Sequence, residues 1–306
     1  MLECSKQFPE DVFFMRYNSS GFYEENLSLL GVEINSLPLD EKGEPSREKC
    51  DEFFRTAFEN GITLFFVPLS SEGKTENFLG KNFSEKIRES YFLSGGINIS
   101  EISSPEEIRE KFSERLSALK SVYFDYLVLE NISEPFFSES GIYQVFSELK
   151  KQGKIKRLGF SVSEKIGSLD KFLKNYNWDF VKTDMNFYSW DYSGVNEIYH
   201  TIRKRNIPFI ASDPFMGGHI LNPPEEVFEI LKEGDPVYSM QEWALRWFFD
   251  KKNMLCVITN PKNSEELSSF ADIISSTKTL NSSKKHYVKI ASQKLFEEKR
   301  EGENQN

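Results

Sequence analysis

Cysteine and histidine are both scarce in this sequence of 306 residues. The three cysteines and three histidines are widely separated along the chain: Cys4, Cys50, Cys256, His200, His219 and His286. Neither set has the spacing of a metal site, and three distant cysteines do not make the disulfide framework of a small secreted protein. We therefore expect no bound metal and a reducing, cytoplasmic environment.

Positive charge is also in short supply. The 38 Lys and Arg residues are outnumbered by 48 Asp and Glu residues, which leaves a net charge of −10. Such a balance argues against nucleic acid or an anionic membrane as the partner, and it provides no field to attract a phosphorylated cofactor. No apolar run approaches the roughly 20 residues that span a bilayer, and the acidic start lacks the apolar segment of a secretory signal. The partner classes that remain are a small molecule and a protein.

Short apolar runs, by contrast, are present throughout and alternate with amphipathic stretches. Eight runs have the character of strands: 27–33, 62–67, 91–95, 124–130, 156–162, 179–185, 207–213 and 255–259. Helix patterns lie between them; one opens at Ser104 with a serine cap followed by proline and acids. Repeated strand–helix alternation predicts one (β/α)8 barrel. An open doubly wound sheet would usually carry a glycine-rich turn after its first strand, and residues 32–35 contain none.

The two ends of the chain lie outside this repeat. Phe13–Met15, a turn at Asn18–Gly21 and the apolar residues that follow predict a β-hairpin that plugs the bottom of the barrel. A last helix is predicted to run through Phe296, and the polar residues 297–306 predict a disordered tail. No linker divides the chain, so residues 1–306 are expected to form a single domain.

Short motifs at characteristic spacing extend over roughly residues 20–275. They include Gly61–Gly80 (GITLFFVPLSSEGKTENFLG), Gly153–Ser161 (GKIKRLGFS) and Glu242–Trp247 (EWALRW). In order and spacing these segments resemble the aldo/keto reductase family, and they are nearest to a bacterial branch that often carries a cysteine-rich iron–sulfur cluster segment, which this sequence lacks. The resemblance implies a (β/α)8 barrel and NADP(H)-dependent reduction of carbonyl groups.

The same resemblance locates the four residues that carry this chemistry, and all four are replaced. The family's Asp falls at Phe66, its Tyr at Ser71, its Lys at Gly95 and its His at Glu130. In the family, Tyr protonates the carbonyl oxygen as hydride arrives, Lys lowers the pKa of that Tyr, Asp pairs with the Lys, and His orients the carbonyl. A serine hydroxyl is a far weaker acid and glycine has no side chain. The resemblance therefore predicts the scaffold without its reductase chemistry.

Glu130 is the one replacement that retains an acid. A branch of the family that reduces carbon–carbon double bonds also has Glu at this position, although it keeps the Tyr. A carboxyl group in an apolar pocket has a raised pKa and can stay protonated near neutrality, so Glu130 is a candidate proton donor. The alternative interpretation is a strand-end glutamate that faces solvent.

The cofactor positions implied by the resemblance are altered as well. Ser161 matches the Ser that contacts the nicotinamide amide, whereas Asp184 and Ser212 replace the usual Gln and the usual stacking aromatic ring. In the last loop Lys262 is the remaining cation. Glu266 falls near the Arg that would hold the 2′-phosphate, which is a repulsive change. The cofactor, if one binds, is expected to be NADP(H), held weakly.

Three functions are compatible with this pattern. The first is a pseudoenzyme without carbonyl reductase activity, whose barrel mouth binds a small molecule or a protein. The second is an NADP(H)-dependent oxidoreductase that acts on carbonyls with Glu130 as a non-standard acid. The third is an enzyme of another class at the same mouth, built on groups such as Glu130, Asp184 and Asp213. The replaced tetrad favours the first, because function is argued from the site and not from the fold.

Overall fold

Eight parallel strands form the centre of the computed structural model. They pair in sequence order and close on themselves, because β1 pairs with both β2 and β8. The strands are β1 Leu30–Glu33, β2 Leu64–Val67, β3 Phe92–Asn98, β4 Phe124–Glu130, β5 Ile155–Ser161, β6 Phe180–Asp184, β7 Phe209–Ser212 and β8 Met254–Thr259. The structure describes residues 15–18, 21–34, 37–42, 45–68, 73–82, 85–133, 137–138, 140–162, 169–276 and 278–304. The predicted (β/α)8 barrel and its eight strands are confirmed.

Helices connect the strands and surround the barrel. They are α1 Arg47–Glu59, α2 Lys74–Asn82, α3 Pro105–Ala118, α4 Ile142–Lys151, α5 Leu169–Asn175, α6 Phe187–Tyr192, α7 Val195–Lys204, α8 Glu225–Gly234, α9 Met240–Arg246, α10 Ser264–Ser275 and α11 Ser282–Asn304. Short 3-10 helices occur at Glu85–Ser90, Ile99–Glu101, Met216–Gly218 and Trp247–Asp250. Local sequence sets the helix starts: the predicted cap Ser104 accepts a hydrogen bond from the Glu107 N–H, and Pro105 follows it. Within the described residues, no helix is long and apolar enough to cross a membrane.

The core has two parts, separated by the sheet itself. Side chains alternate across each strand, so half of them fill the barrel and half pack beneath the helices. The inner part is an apolar cluster of buried side chains: Leu27, Leu64, Phe66, Tyr126, Val128, Phe180, Ile210, Leu255, Cys256 and Ile258. The barrel interior is therefore a packed core, and any ligand must bind at one of its ends.

The bottom of the barrel, at the N-terminal ends of the strands, is closed by the segment that precedes β1. Phe22 and Tyr23 pack on the inner cluster, and the Tyr23 hydroxyl donates to the Asp179 carbonyl oxygen at 2.5 Å. An antiparallel bridge joins Tyr17 with Ser28. The connection is therefore longer than the predicted turn at 18–21, of which residues 19 and 20, like Phe13 and Phe14, lie outside the described residues.

The C-terminal helix α11 is longer than predicted. It continues to Asn304, so residues 297–304 are helical where a disordered tail was expected. Contacts along the helix surface account for this: Gln293 donates to Glu297 at 3.0 Å, and the Arg300 guanidinium lies 5.6 Å from the centre of the Phe296 ring. Such neighbours at a spacing of four residues favour helix propagation beyond the packed part of the helix.

Candidate functional site

The barrel mouth, at the C-terminal ends of the strands, is lined by charged side chains above an apolar floor. We define it by the inward-facing residues at these ends: Glu33, Phe66, Gly96, Glu130, Ser161, Lys182, Asp184, Ser212 and Asp213. Phe66 is the floor, with 1% of its surface exposed. Its position at the top of the inner apolar cluster follows from the strand alternation that also places Leu64 inside.

Lys182 is the central charge of the mouth. Its ammonium Nζ lies 3.6 Å from Glu130 Oε1 and 5.1 Å from the centre of the Phe66 ring, and its side chain is 12% exposed. The lysine comes from β6 and the glutamate from β4, so the pair crosses above β5. A partly buried ammonium over an aromatic face gains both ion-pair and cation–π stabilisation.

In the part of the mouth that the structure describes, four carboxylates lie near this one ammonium. Burial raises the pKa of Glu33, and the charges of Glu130, Asp184 and Asp213 raise it further, while Lys182 acts in the opposite direction. Partial burial also raises the pKa of Asp213, against a hydrogen bond that its carboxylate accepts from the Gly217 N–H at 2.6 Å. The mouth is therefore electronegative. Within the part of the chain that the structure describes, no group of three or more His, Cys, Asp or Glu is placed to hold a metal ion.

The tetrad positions do not all converge on this site. Phe66 and Glu130 lie at the mouth as predicted, whereas Ser71 lies outside the described residues. Gly95 does not face the mouth: a Cβ atom built on it would come within 2.7 Å of the Phe124 ring, on the helix side of the sheet. The predicted run 91–95 ends at Gly95, whereas β3 continues three residues further, to Asn98.

Gly96 occupies the inward position next to Gly95. A Cβ atom on Gly96 would lie 2.8 Å from Glu130 Oε2. The Glu130 carboxylate therefore fills the space that any side chain on this part of β3 would need. With glycine at both 95 and 96, β3 supplies neither a lysine nor another polar side chain here, and the one lysine that the described residues bring to the mouth is Lys182.

A second buried ion pair supports the mouth from outside. Arg115 of α3 lies 3.1 Å from Glu76 of α2, and the two side chains are 8% and 3% exposed. The Arg115 guanidinium also donates to the carbonyl oxygens of Val67, at the end of β2, and of Gly96, two residues before the end of β3. Glu76 belongs to the motif Lys74–Gly80 that the sequence shares with the family, and the structure shows its role as the partner of this arginine.

The positions expected to contact a nicotinamide cofactor fit it poorly. Ser161 ends β5, half-buried. Ser212 is buried and donates a hydrogen bond to Asp184 Oδ1 at 2.6 Å, so a short polar pair stands where the family places an aromatic ring and an amide. The exposed Asp184 and Asp213 add negative charge on this side of the mouth, which opposes the phosphates of a dinucleotide.

The last loop is occupied in a similar way by a carboxylate. Glu266 Oε2 accepts the backbone N–H of Lys262 at 2.6 Å, and the Glu266 N–H donates to the side chain of Asn263, the cap of α10. These are the helix N-terminal donors that would otherwise serve a phosphate group. The residues present therefore do not fit the 2′-phosphate of NADP(H), and no reaction step is derived through this cofactor.

Sequence reasoning missed Lys182 and Glu33. A signal for both was available, because residues separated by two positions share a face of a strand. Phe180, Lys182 and Asp184 alternate along β6 and point inward, and Glu33 follows the inward Gly31 on β1. What the alternation could not provide was the position of Lys182 relative to Glu130, which depends on the closure of the barrel.

Comparison with known proteins supports the same scaffold. A profile described as "Aldo/keto reductase family" matches residues 36–290. No curated protein sequence matches the chain significantly.

Solved structures are similar in fold at low sequence identity. They include the holo form of aldo-keto reductase AKR11C1 from Bacillus halodurans, with 17% identity, 92% of this chain and 96% of that chain covered and a TM-score of 0.72. Glycerol dehydrogenase AKR11B4 from Gluconobacter oxydans has 16% identity, the same coverage and a TM-score of 0.72. The thermostable aldo-keto reductase Tm1743, solved with the inhibitor epalrestat, has 17% identity, 90% and 100% coverage and a TM-score of 0.74.

Proposed function

The chain belongs to the aldo/keto reductase family, and we propose that it is a pseudoenzyme whose barrel mouth binds a small cationic molecule. The observation that carries this proposal is the Lys182–Glu130 ion pair above Phe66. Glu130 of this pair falls at the position that the resemblance assigns to the family's orienting histidine, and its carboxylate contacts the Lys182 ammonium. The remaining mouth carboxylates have no other lysine or arginine partner at the mouth within the described residues.

Two features argue against carbonyl reduction. Among the described residues that line the mouth, none is a tyrosine, so the phenolic acid of the family has no counterpart there. Glu130 was considered as a substitute acid because of an apolar pocket, but its neighbour is the ammonium of Lys182 at 3.6 Å. A carboxylate held in an ion pair serves as an acceptor of hydrogen bonds and not as a proton donor.

The charge of the mouth favours a cationic ligand over an anionic one. Among the described residues of the mouth, Glu33, Glu130, Asp184 and Asp213 contribute four acidic groups against one lysine. A monovalent ammonium that enters this region meets a favourable field, and a charge-assisted hydrogen bond to an exposed Asp184 or Asp213 would orient it. NADP(H) carries several negative charges and would meet the same field with the opposite sign.

The proposal is tested by calorimetric titration of the purified protein with 1,4-diaminobutane, succinate and 1,4-butanediol, three probes of similar length that differ in charge. We expect measurable binding of the diamine alone. The double variant Asp184→Asn/Asp213→Asn is expected to lower the diamine affinity at least tenfold, since two charge-assisted hydrogen bonds are each worth about 1.5–3 kcal/mol.

The matched control is Glu110→Gln, which removes an exposed carboxylate of α3 away from the mouth. It is expected to bind the diamine as the parent protein does. Equal diamine affinity in the parent and in the Asp184/Asp213 variant would contradict the proposed ligand class.

The second candidate function, an NADP(H)-dependent oxidoreductase with Glu130 as acid, is addressed by direct assay. We expect no reduction of common aldehydes, ketones or quinones by NADPH above background and no NADPH binding at micromolar concentration. A turnover number within the usual enzyme range of about 1 to 1000 per second would establish the oxidoreductase instead.

We also propose a cytoplasmic location. The supporting observation is that Cys50 and Cys256 are buried free thiols, which is typical of proteins kept in a reducing compartment. Localisation by fluorescence of a tagged chain tests this directly, and a surface or extracellular signal would contradict it.

A further inference from the structure

A cleft of about 550 Å³ opens at the bottom of the barrel, at the opposite end from the mouth. We call it the bottom cleft; its lining residues used below are Arg16, Phe22, Phe249 and Lys252, together with apolar side chains on its inner wall. On one side it is lined by residues 16–18 and Phe22, which precede β1. On the other side it is lined by residues 251–253, which lead into β8. Its volume is within the range of about 300–1000 Å³ that is typical of small-molecule sites.

The charge of the bottom cleft is opposite to that of the mouth. Its wall contains Arg16, Lys251 and Lys252 and no Asp or Glu. The charge of Lys251 already has partners, because its ammonium contacts Asp250 at 2.7 Å and lies 3.8 Å from the centre of the Trp247 ring. Arg16 and Lys252 are the two cations that remain available.

Neither of these two cations forms an ion pair with any residue of the described chain. The Arg16 guanidinium donates one long hydrogen bond, 3.5 Å, to the Ser276 carbonyl oxygen, and most of its donors have no partner among the described residues. Lys252 is exposed; its backbone N–H donates to the Tyr199 hydroxyl at 3.0 Å, and its ammonium has no partner in the described part of the chain. In a chain with a net charge of −10, two uncommitted cations at one cavity form a local anion-attracting site.

Aromatic groups form the adjoining walls. The Arg16 guanidinium lies 4.9 Å from the centre of the Phe249 ring, which fixes the orientation of its planar fork. Phe22 contributes a second ring to the wall. Residues 15–18 are held against β8 by Asn18, whose side-chain amide donates to the carbonyl oxygens of Met254 at 2.9 Å and Leu255 at 2.7 Å.

We propose that the bottom cleft is a second ligand site, and that it binds a small aromatic carboxylate. The planar guanidinium of Arg16 matches a carboxylate with two parallel hydrogen bonds. Lys252 adds a second positive charge, and Phe22 and Phe249 provide apolar surface for an aromatic ring. This site is independent of the function proposed for the mouth.

The test is a calorimetric titration with indole-3-acetate, indole and tryptamine, which share a ring and differ in charge. We expect indole-3-acetate to bind more tightly than indole. In the double variant Arg16→Gln/Lys252→Gln its affinity should fall about tenfold or more. The matched control Lys42→Gln, an exposed lysine elsewhere that lacks an ion pair among the described residues, should leave the affinity unchanged.

Two further variants keep the proposal falsifiable. Arg16→Lys retains the charge but removes the fork, so we expect an affinity between those of the parent and the double variant. Lys182→Met changes the mouth alone and should not alter indole-3-acetate binding. Parental affinity in the double variant, or a loss of affinity in Lys182→Met, would assign the ligand to another site and overturn the proposal, as would equal binding of indole and indole-3-acetate.

Discussion

The bottom and the mouth of the barrel differ in how many positively charged partners their carboxylates have. At the bottom, Asp125 is 2.7 Å from Arg88 and 2.9 Å from Lys156, and it also accepts the Leu93 N–H at 2.9 Å. At the mouth, the described residues place four carboxylates near one ammonium, that of Lys182, which pairs with Glu130 at 3.6 Å. Asp125 alone therefore has two positively charged partners, whereas the described carboxylates of the mouth have one between them.

The difference separates stability from binding. A buried carboxylate with several partners fixes the strands next to it, and the N-terminal face of such barrels serves mainly for stability. Burial raises the pKa of Glu33 and Asp213, and Lys182 offsets this only in part. Groups of this kind mark functional sites more often than structural ones. The predictions below test this division, from the largest expected effect to the smallest.

The largest effect is expected at the bottom. Asp125→Asn removes the charge that Arg88 and Lys156 share, and the side chain of Asp125 is 3% exposed. Breaking a buried pair costs about 3–5 kcal/mol of unfolding free energy. Urea denaturation measures this value. The matched control is Asp213→Asn at the mouth, for which we expect no loss; equal losses in both variants would remove the distinction between the two ends.

The next prediction concerns a coupling energy at the mouth, where an aspartate is introduced at position 66. Phe66→Asp would place a carboxylate beside Lys182, whose ammonium lies 5.1 Å from the ring centre. The new charge would therefore have a partner. In a double-mutant cycle with Lys182→Met, we expect a favourable coupling of about 1–3 kcal/mol between the introduced carboxylate and the lysine. A coupling near zero would show that Lys182 does not reach the floor of the mouth.

Lys182→Met alone should lower the free energy of unfolding moderately. It leaves Glu33 and Glu130 without their ammonium, but both partners of the Lys182–Glu130 pair retain some exposure, 12% and 22%. Solvent screening limits the loss of unfolding free energy at pH 7 to about 1–2 kcal/mol. The loss should shrink as the pH falls, because protonated carboxyls need no counter-charge. A loss that is independent of pH would mean that Lys182 acts by packing alone.

The smallest change in the free energy of unfolding should come from Glu33→Gln. Its pKa is raised in the folded chain, chiefly by burial, so the folded state binds the proton more tightly than the unfolded state. The parent protein should therefore lose stability as the pH rises from the ordinary pKa of a glutamate through the raised value. Glu33→Gln should remove this dependence and be more stable than the parent protein at pH 7. Stability curves of the two proteins that coincide from pH 4 to 8 would refute the account.

The candidate site was only partly predictable. Phe66 and Glu130 lie at the mouth as predicted, because Glu130 ends β4 and Phe66 is next to the last residue of β2, and both strands have clear apolar runs in the sequence. Gly95 was misplaced, since a run that reads as a five-residue strand continues to Asn98 and the direction of each side chain depends on that register. Lys182 was overlooked, although its strand was predicted, because no local feature marks a lysine that will meet a glutamate two strands away.

The sequence by itself determined the number, order and type of the barrel elements and the family, because periodicity, helix caps and motif spacing act over a few residues. The tertiary structure alone decided which charges meet. Barrel closure brings Lys182 above Phe66, and the plug brings Arg16 beside the turn before β8, across 232 positions from Arg16 to Phe248. Electrostatic contacts depend on distances of a few ångströms between remote segments, and those distances exist only after the barrel has closed.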